Sequence, residues 1–107
     1  MRRVLFLALL LCCALPASAT AAGKPFGALD CKAAEGVRFC QGKVDTFDGH
    51  VVDVNVTLPS SGDGGFPLIM LAHGWGGAKY PLTADPSHVS NSSKPWADRG
   101  YAVLSIT

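Results

Sequence analysis

The sequence predicts an α/β fold, and three stretches carry that prediction. Residues 68–72 are apolar throughout and run into glycines, which is typical of a strand buried on both faces. Residues 52–58 alternate apolar and polar side chains, which predicts a strand with one buried face. A short helix beginning at Pro95 and an apolar stretch at 101–107 then predict a second strand parallel to the first. We expect a mixed sheet built from a β-hairpin, a buried parallel strand, a turn, a short helix and another parallel strand.

The amino-terminal segment, residues 1–19, predicts a secretory signal peptide. Two arginines precede an apolar run at 4–15, and the small residues Ala17-Ser18-Ala19 follow it. A membrane-spanning helix needs about 20 apolar residues, which is more than this run provides. We therefore expect cleavage at about residues 19–22, export to the cell envelope or medium, and no membrane attachment afterwards.

The charge of the exported chain excludes two classes of partner. The 107 residues contain nine Lys and Arg and eight Asp and Glu. Arg2 and Arg3 leave with the signal peptide, so seven basic residues face eight acidic ones in the mature chain. A nearly neutral chain with scattered charges offers no basic stripe for nucleic acid or for anionic lipid.

The cysteines predict one disulfide. Cys12 and Cys13 lie in the predicted signal peptide, which leaves Cys31 and Cys40 in an oxidising compartment. Their loop would stabilise the fold by about 2.5 kcal/mol in the chain-entropy model. A metal site is the alternative, but neither cysteine has ligand spacing to any histidine, so we expect no metal and no cofactor. The three histidines are His50, His73 and His88.

The exported chain divides into a linker and one domain. Residues 20–37 are small and mixed, and predict a linker that contains the start of the cysteine loop. Residues 38–107 predict the domain. Within it, Asp48-Gly49 is typical of a two-residue hairpin loop between strands at 37–44 and 52–58.

The motif that points most directly to a functional site is His73-Gly74-Trp75-Gly76-Gly77, which directly follows the apolar run at 68–72. Strand followed by His-Gly-x-Gly-Gly resembles the oxyanion-hole turn of α/β-hydrolases. The segments around it strengthen the resemblance, which extends from about Arg38 to the last residue. The whole order is similar to the opening of secreted bacterial acyl hydrolases of the X-prolyl dipeptidyl-peptidase and cocaine-esterase type. Its other parts are Phe47-Asp48-Gly49, Leu58-Pro59 and Pro95-Trp96-Ala97-Asp98-Arg99-Gly100-Tyr101-Ala102-Val103.

The resemblance implies a serine hydrolase that acts on a small acyl ester or peptide. Backbone N–H groups in such enzymes stabilise the negative charge that develops on the carbonyl oxygen. By resemblance, the amide of Trp75 is the first donor and that of Gly76 the second. His73, Gly74 and Gly77 would support the turn, and His73 would not be the catalytic base.

The catalytic serine is missing from the sequence. No G-x-S-x-G elbow occurs, and in the resembled family the serine, acid and histidine all follow the strand at 101–107. Asp85 and His88 precede that strand, and their pattern does not mark them as catalytic. We therefore expect an incomplete, amino-terminal portion of a hydrolase domain that is inactive by itself. The serines without a glycine frame are Ser60, Ser61, Ser87, Ser90, Ser92, Ser93 and Ser105.

A second hypothesis comes from a different functional class. The alternating strand, the hairpin and the cysteine pair also fit a small exported β-rich binding module without catalysis. The apolar run at 68–72 distinguishes the two hypotheses, since a small module would show alternation there.

Overall fold

The computed structural model describes residues 23–107, and the predicted signal peptide lies outside them. Five strands form one sheet in the order β1-β2-β3-β5-β4, in which β4 and β5 are parallel and the other neighbours antiparallel. The strands are β1 (Cys31–Ala34), β2 (Val37–Asp45), β3 (Val51–Leu58), β4 (Leu68–Leu71) and β5 (Ala102–Ile106). The helical segments are α1 (Lys94–Ala97) and two 3₁₀ segments, Pro25–Gly27 and Pro86–Asn91.

The prediction of an α/β fold, as the opening of an α/β-hydrolase sheet, is wrong. Within residues 23–107 the sheet is mostly antiparallel, and α1 is one four-residue turn of helix. The long connection from β4 to β5 stays largely irregular because prolines and a Ser/Asn cluster interrupt it. The architecture is therefore a small five-stranded mixed sheet with almost no helix, without alternation of strands and helices.

The β1–β2 hairpin adds an edge strand that the sequence did not predict. Glu35 and Gly36 connect the two strands, with φ of 51° and 78°. Positive φ at both loop residues is the geometry of the type I′ turn, which matches the twist of paired strands. Cys31 lies directly opposite Cys40 in the register, with 4.1 Å between their Cα atoms, and the two form the disulfide that the sequence predicted.

The β2–β3 hairpin has a longer loop than the two residues predicted. The last strand pair is Asp45 with Val51, and the amide of Thr46 then donates to the carbonyl of His50 at 2.7 Å. The Gly49 amide donates to the Thr46 carbonyl at 3.0 Å, and Gly49 has φ of 83°. This is a tight turn followed by a left-handed glycine, the usual form of three-residue hairpin loops. Aspartate and glycine occur together in both loop types, so the dipeptide did not fix the loop length.

The two faces of the sheet differ in chemistry, and we call them the apolar face and the polar face. The apolar face carries one buried hydrophobic cluster, in which Leu29 packs against Cys40, Val54 and Val56. The polar face also buries apolar side chains, but it carries in addition buried hydroxyl and amide groups that contact the connection between β4 and β5 through hydrogen bonds. The polar-face residues used below are Gln41, Asn55, Thr57 and Ser105.

Strand β4 is not buried on both faces, contrary to the prediction. It pairs only with β5 among the described residues and lies at the edge of the sheet. Ile69 and Leu71 are half-buried, whereas Leu68 and Met70 are 65% and 53% exposed on the apolar face. The core around Leu29 lies over β2 and β3, so nothing in residues 23–107 covers this end of the apolar face.

The helix α1 ends where the sequence predicted. Gly100 has φ of 95°, its amide donates to Ala97, and the Tyr101 amide donates to Trp96. These two bonds form a Schellman motif, in which a left-handed residue satisfies the last carbonyls of a helix. Ser93 lies at the N-cap position, but its hydroxyl contacts Thr57 on the sheet at 2.6 Å instead of capping the helix. The short helix is therefore held to the polar face of the sheet at its start.

Candidate functional site

The predicted oxyanion turn lies at the carboxyl end of β4. Gly74 to Gly77 form a β-turn that is closed by the Gly77 amide, which donates to the Gly74 carbonyl at 3.0 Å. Gly76 occupies the third position with φ of 73°. A left-handed residue at that position is what a type II turn requires, and glycine adopts it without strain. The glycine pattern thus has a direct conformational reason.

The amides of Trp75 and Gly76 make no hydrogen bond to the described residues. Both residues are exposed, and the Trp75 side chain is fully solvent-accessible. Two adjacent N–H groups without internal acceptors are able to donate to an oxygen of a bound molecule. The structure therefore places the two predicted donors side by side in an open turn.

His73 and Gly77 fit closely across the base of this turn. The His73 Nδ1 atom lies 2.8 Å from the Gly74 carbonyl oxygen. A Cβ atom added to Gly77 would lie 2.9 Å from the His73 Cβ and 3.0 Å from the Gly74 oxygen. His73 thus lies against the base of the turn, and its role in supporting the turn stays a prediction.

We expect Gly77→Ala to destabilise the turn by about 1 kcal/mol, because overpacking displaces neighbouring atoms. The two nearest atoms that the new Cβ would meet are the Gly74 backbone oxygen and the His73 Cβ, which cannot move aside without a shift of the chain. Hydrogen exchange of the residue 77 amide should become faster in the variant. Gly74→Ala is the matched control, since a Cβ there meets nothing within 4 Å. Equal exchange in both variants would show that the close fit is unimportant.

Lys79 and Tyr80 fix the chain directly after the turn. The Lys79 ammonium pairs with Asp53 at 2.6 Å, and the Lys79 amide donates to the Thr107 hydroxyl at 2.7 Å. The Tyr80 amide donates to the Ser105 hydroxyl at 2.7 Å, and its carbonyl accepts from the Asn55 amide group at 3.1 Å. The sequence did not predict these contacts of Lys79 and Tyr80 with the sheet. The one signal in the sequence was Ser105, a polar residue inside the apolar stretch 101–107.

Asp85, Ser87 and His88 come together in the 3₁₀ segment that begins at Pro86. The Ser87 hydroxyl lies 2.5 Å from Asp85 Oδ1 and 2.8 Å from His88 Nδ1. The hydroxyl and amide of Ser87 donate to the carboxylate and thereby lower the pKa of Asp85. A catalytic triad needs the histidine between the serine and the acid, whereas here the serine lies between them. The arrangement caps the segment and does not form a nucleophilic site.

Neither a metal centre nor a membrane-spanning helix occurs in the described part of the chain. Residues 23–107 bring together no group of three or more His, Cys, Asp or Glu side chains able to hold a metal ion. None of the helices in this range is long and apolar enough to cross a membrane.

The chain matches none of the protein-family models, curated proteins or solved structures with which it was compared. The function of the candidate site can consequently be inferred only from its geometry.

Proposed function

We propose that this chain supplies part of the oxyanion-binding site of a secreted serine hydrolase. The observation that carries the proposal is the pair of unbonded amides at Trp75 and Gly76 in a glycine turn. Donors fixed before the reaction stabilise developing oxyanion charge without reorganisation, which is the largest electrostatic term in acyl transfer. The substrate would be a small acyl ester or an X-prolyl peptide, and export would follow from the predicted signal peptide.

The proposal needs a nucleophile that these 107 residues do not supply, since no serine has the glycine frame of an elbow. We expect the 107-residue chain by itself to show no ester hydrolysis. The test is to isolate the native exported protein, measure its intact mass, and treat it with a fluorophosphonate that labels activated serines. Labelling of a protein larger than the 11.1 kDa of this chain, at a serine outside it, supports the proposal. An unlabelled protein would contradict it.

A second candidate function is a small exported binding module stapled by its disulfide. The mostly antiparallel sheet and the Cys31–Cys40 bridge favour it. Its experimental signature is cooperative thermal unfolding of the isolated mature chain, together with no fluorophosphonate labelling of the native protein. Loss of cooperative unfolding in the isolated chain would count against an independent module.

A further inference from the structure

Both ends of the candidate turn converge on Ser105 in β5. On the entering side, Leu71 of β4 is the strand partner of Ser105. On the leaving side, the Tyr80 amide donates to the Ser105 hydroxyl at 2.7 Å. Ser105 is 1% exposed and Tyr80 is half-buried, so this hydrogen bond is partly shielded from water. One buried residue therefore determines how far apart the two ends of the segment 72–79 lie.

The neighbouring contacts reinforce this closure. The Asn55 amide group donates to the Tyr80 carbonyl, and Gln41 donates to the Asn55 side-chain oxygen at 3.2 Å, which fixes the orientation of Asn55. The Tyr80 hydroxyl donates to the Ala72 carbonyl, the last one before the turn motif. Both backbone polar groups of Tyr80 are thus satisfied by side chains of the sheet, where a free chain would use water.

We propose that Ser105, with Asn55, is a positioning residue that holds the turn 73–77 in the conformation that presents the amides of Trp75 and Gly76. The inference rests on the proposed function for its catalytic meaning. The Ser105 hydroxyl accepts a hydrogen bond from the Tyr80 amide, which follows the turn. The Ser105 backbone lies opposite Leu71, which precedes the turn. Loss of the hydroxyl leaves the Tyr80 amide without its acceptor, and the segment separates from β5 to reach water.

The structure contains a matched comparison on the same face of the sheet. The buried Thr57 hydroxyl contacts the Ser93 hydroxyl at 2.6 Å. This hydrogen bond also attaches the connection to the sheet, but it does so at the start of α1, far along the chain from the turn. Thr57→Val removes it at nearly unchanged volume. Its effect measures the general loss of stability from deleting one buried hydroxyl on the polar face.

The experiment compares amide hydrogen exchange in three ¹⁵N-labelled proteins: the unmodified full chain, the Ser105→Ala variant and the Thr57→Val variant. The probe is the Gly77 amide, which donates to Gly74 and closes the turn. We expect exchange of this amide to be about tenfold faster in Ser105→Ala and to change less than about twofold in Thr57→Val. In Ser105→Ala, ¹⁵N relaxation should also show lower order at residues 75 and 76.

Two results would overturn the proposal: unchanged Gly77 exchange in Ser105→Ala, or an equal acceleration in Thr57→Val. If Ser105→Ala does not fold, Ser105→Cys replaces it, because a thiol keeps the volume but accepts hydrogen bonds weakly. The same direction of change is then expected, and unchanged exchange overturns the proposal equally. These measurements do not depend on hydrolysis. A native protein that fails to react with the fluorophosphonate would refute the proposed function, while the exchange comparison still decides the role of Ser105.

Discussion

Replacing Cys31 and Cys40 together by alanine should lower the free energy of unfolding by at least the loop-closure contribution of about 2.5 kcal/mol. The bridge closes a loop with a sequence separation of nine, and its loss returns conformational freedom to the unfolded chain. β1 has four residues and, within residues 23–107, pairs only with β2, so few other contacts in this range hold it. We expect the urea midpoint of the mature chain to fall, with the β1 amides losing exchange protection before those of β3.

Thiol reduction of the unmodified chain is the control for this prediction. Cys40 is fully buried in the core, so its replacement by alanine removes packed atoms as well as the covalent bond. Reduction breaks the bond and keeps the sulfur atoms in place. The difference between the two urea midpoints then measures packing at Cys40. Equal midpoints for the oxidised and the reduced protein would show that the disulfide contributes nothing to stability.

Local patterns predicted the parts of the fold that local physics decides. The alternation in β3 placed Val54 and Val56 correctly on one apolar face, because the side-chain period of a strand is two, but the prediction of a single buried face is wrong: Asn55 and Thr57 on the other face are buried as well. Gly100 predicted the end of α1, because a left-handed C′ position favours glycine. These signals lie within a few residues of the structure that they specify, so other segments do not alter them.

The errors concern contacts between distant segments. The apolar run at 68–72 predicted a strand correctly, but it could not show whether a neighbouring segment covers Leu68 and Met70. β1 was missed because Cys31–Ala34 has little strand propensity and is held by its register opposite β2 and by the disulfide. The α/β fold class was wrong because the apolar strands suggested a sheet covered by helices, whereas the 72–101 connection forms only the four-residue α1 and one 3₁₀ segment.

The candidate site shows the same division between local and distant information. The glycine spacing predicted the turn at 74–77, since Gly76 needs positive φ and Gly77 allows no side chain against His73. The attachment of Tyr80 to Ser105 spans 25 residues, and no spacing rule relates the two. Ser105 interrupts the apolar stretch at 101–107 and so indicated an unusual environment, whereas Asn55 lies on the side of β3 that the alternation predicted as polar.

If the protein is the serine hydrolase that we propose, replacing Trp75 by proline should lower kcat for an ester substrate by 10²–10³-fold, about 3 kcal/mol in the barrier, because one oxyanion donor is lost. Trp75 occupies the second position of the Gly74–Gly77 turn, where proline is favoured in type I and type II turns. The Trp75 amide has no acceptor among the described residues, so its removal breaks no internal hydrogen bond. The variant therefore keeps the turn and deletes a donor, and KM should change little.

Trp75→Ala separates the amide from the side chain. The indole is fully exposed, so alanine removes its surface and keeps the backbone N–H in place. We expect kcat within about threefold of the unmodified enzyme, because no transition-state donor is lost. An equal loss in the alanine and proline variants would assign the effect to the indole, as a contact with substrate. Full activity in the proline variant would mean that another group stabilises the oxyanion, and the role assigned to this turn would be wrong.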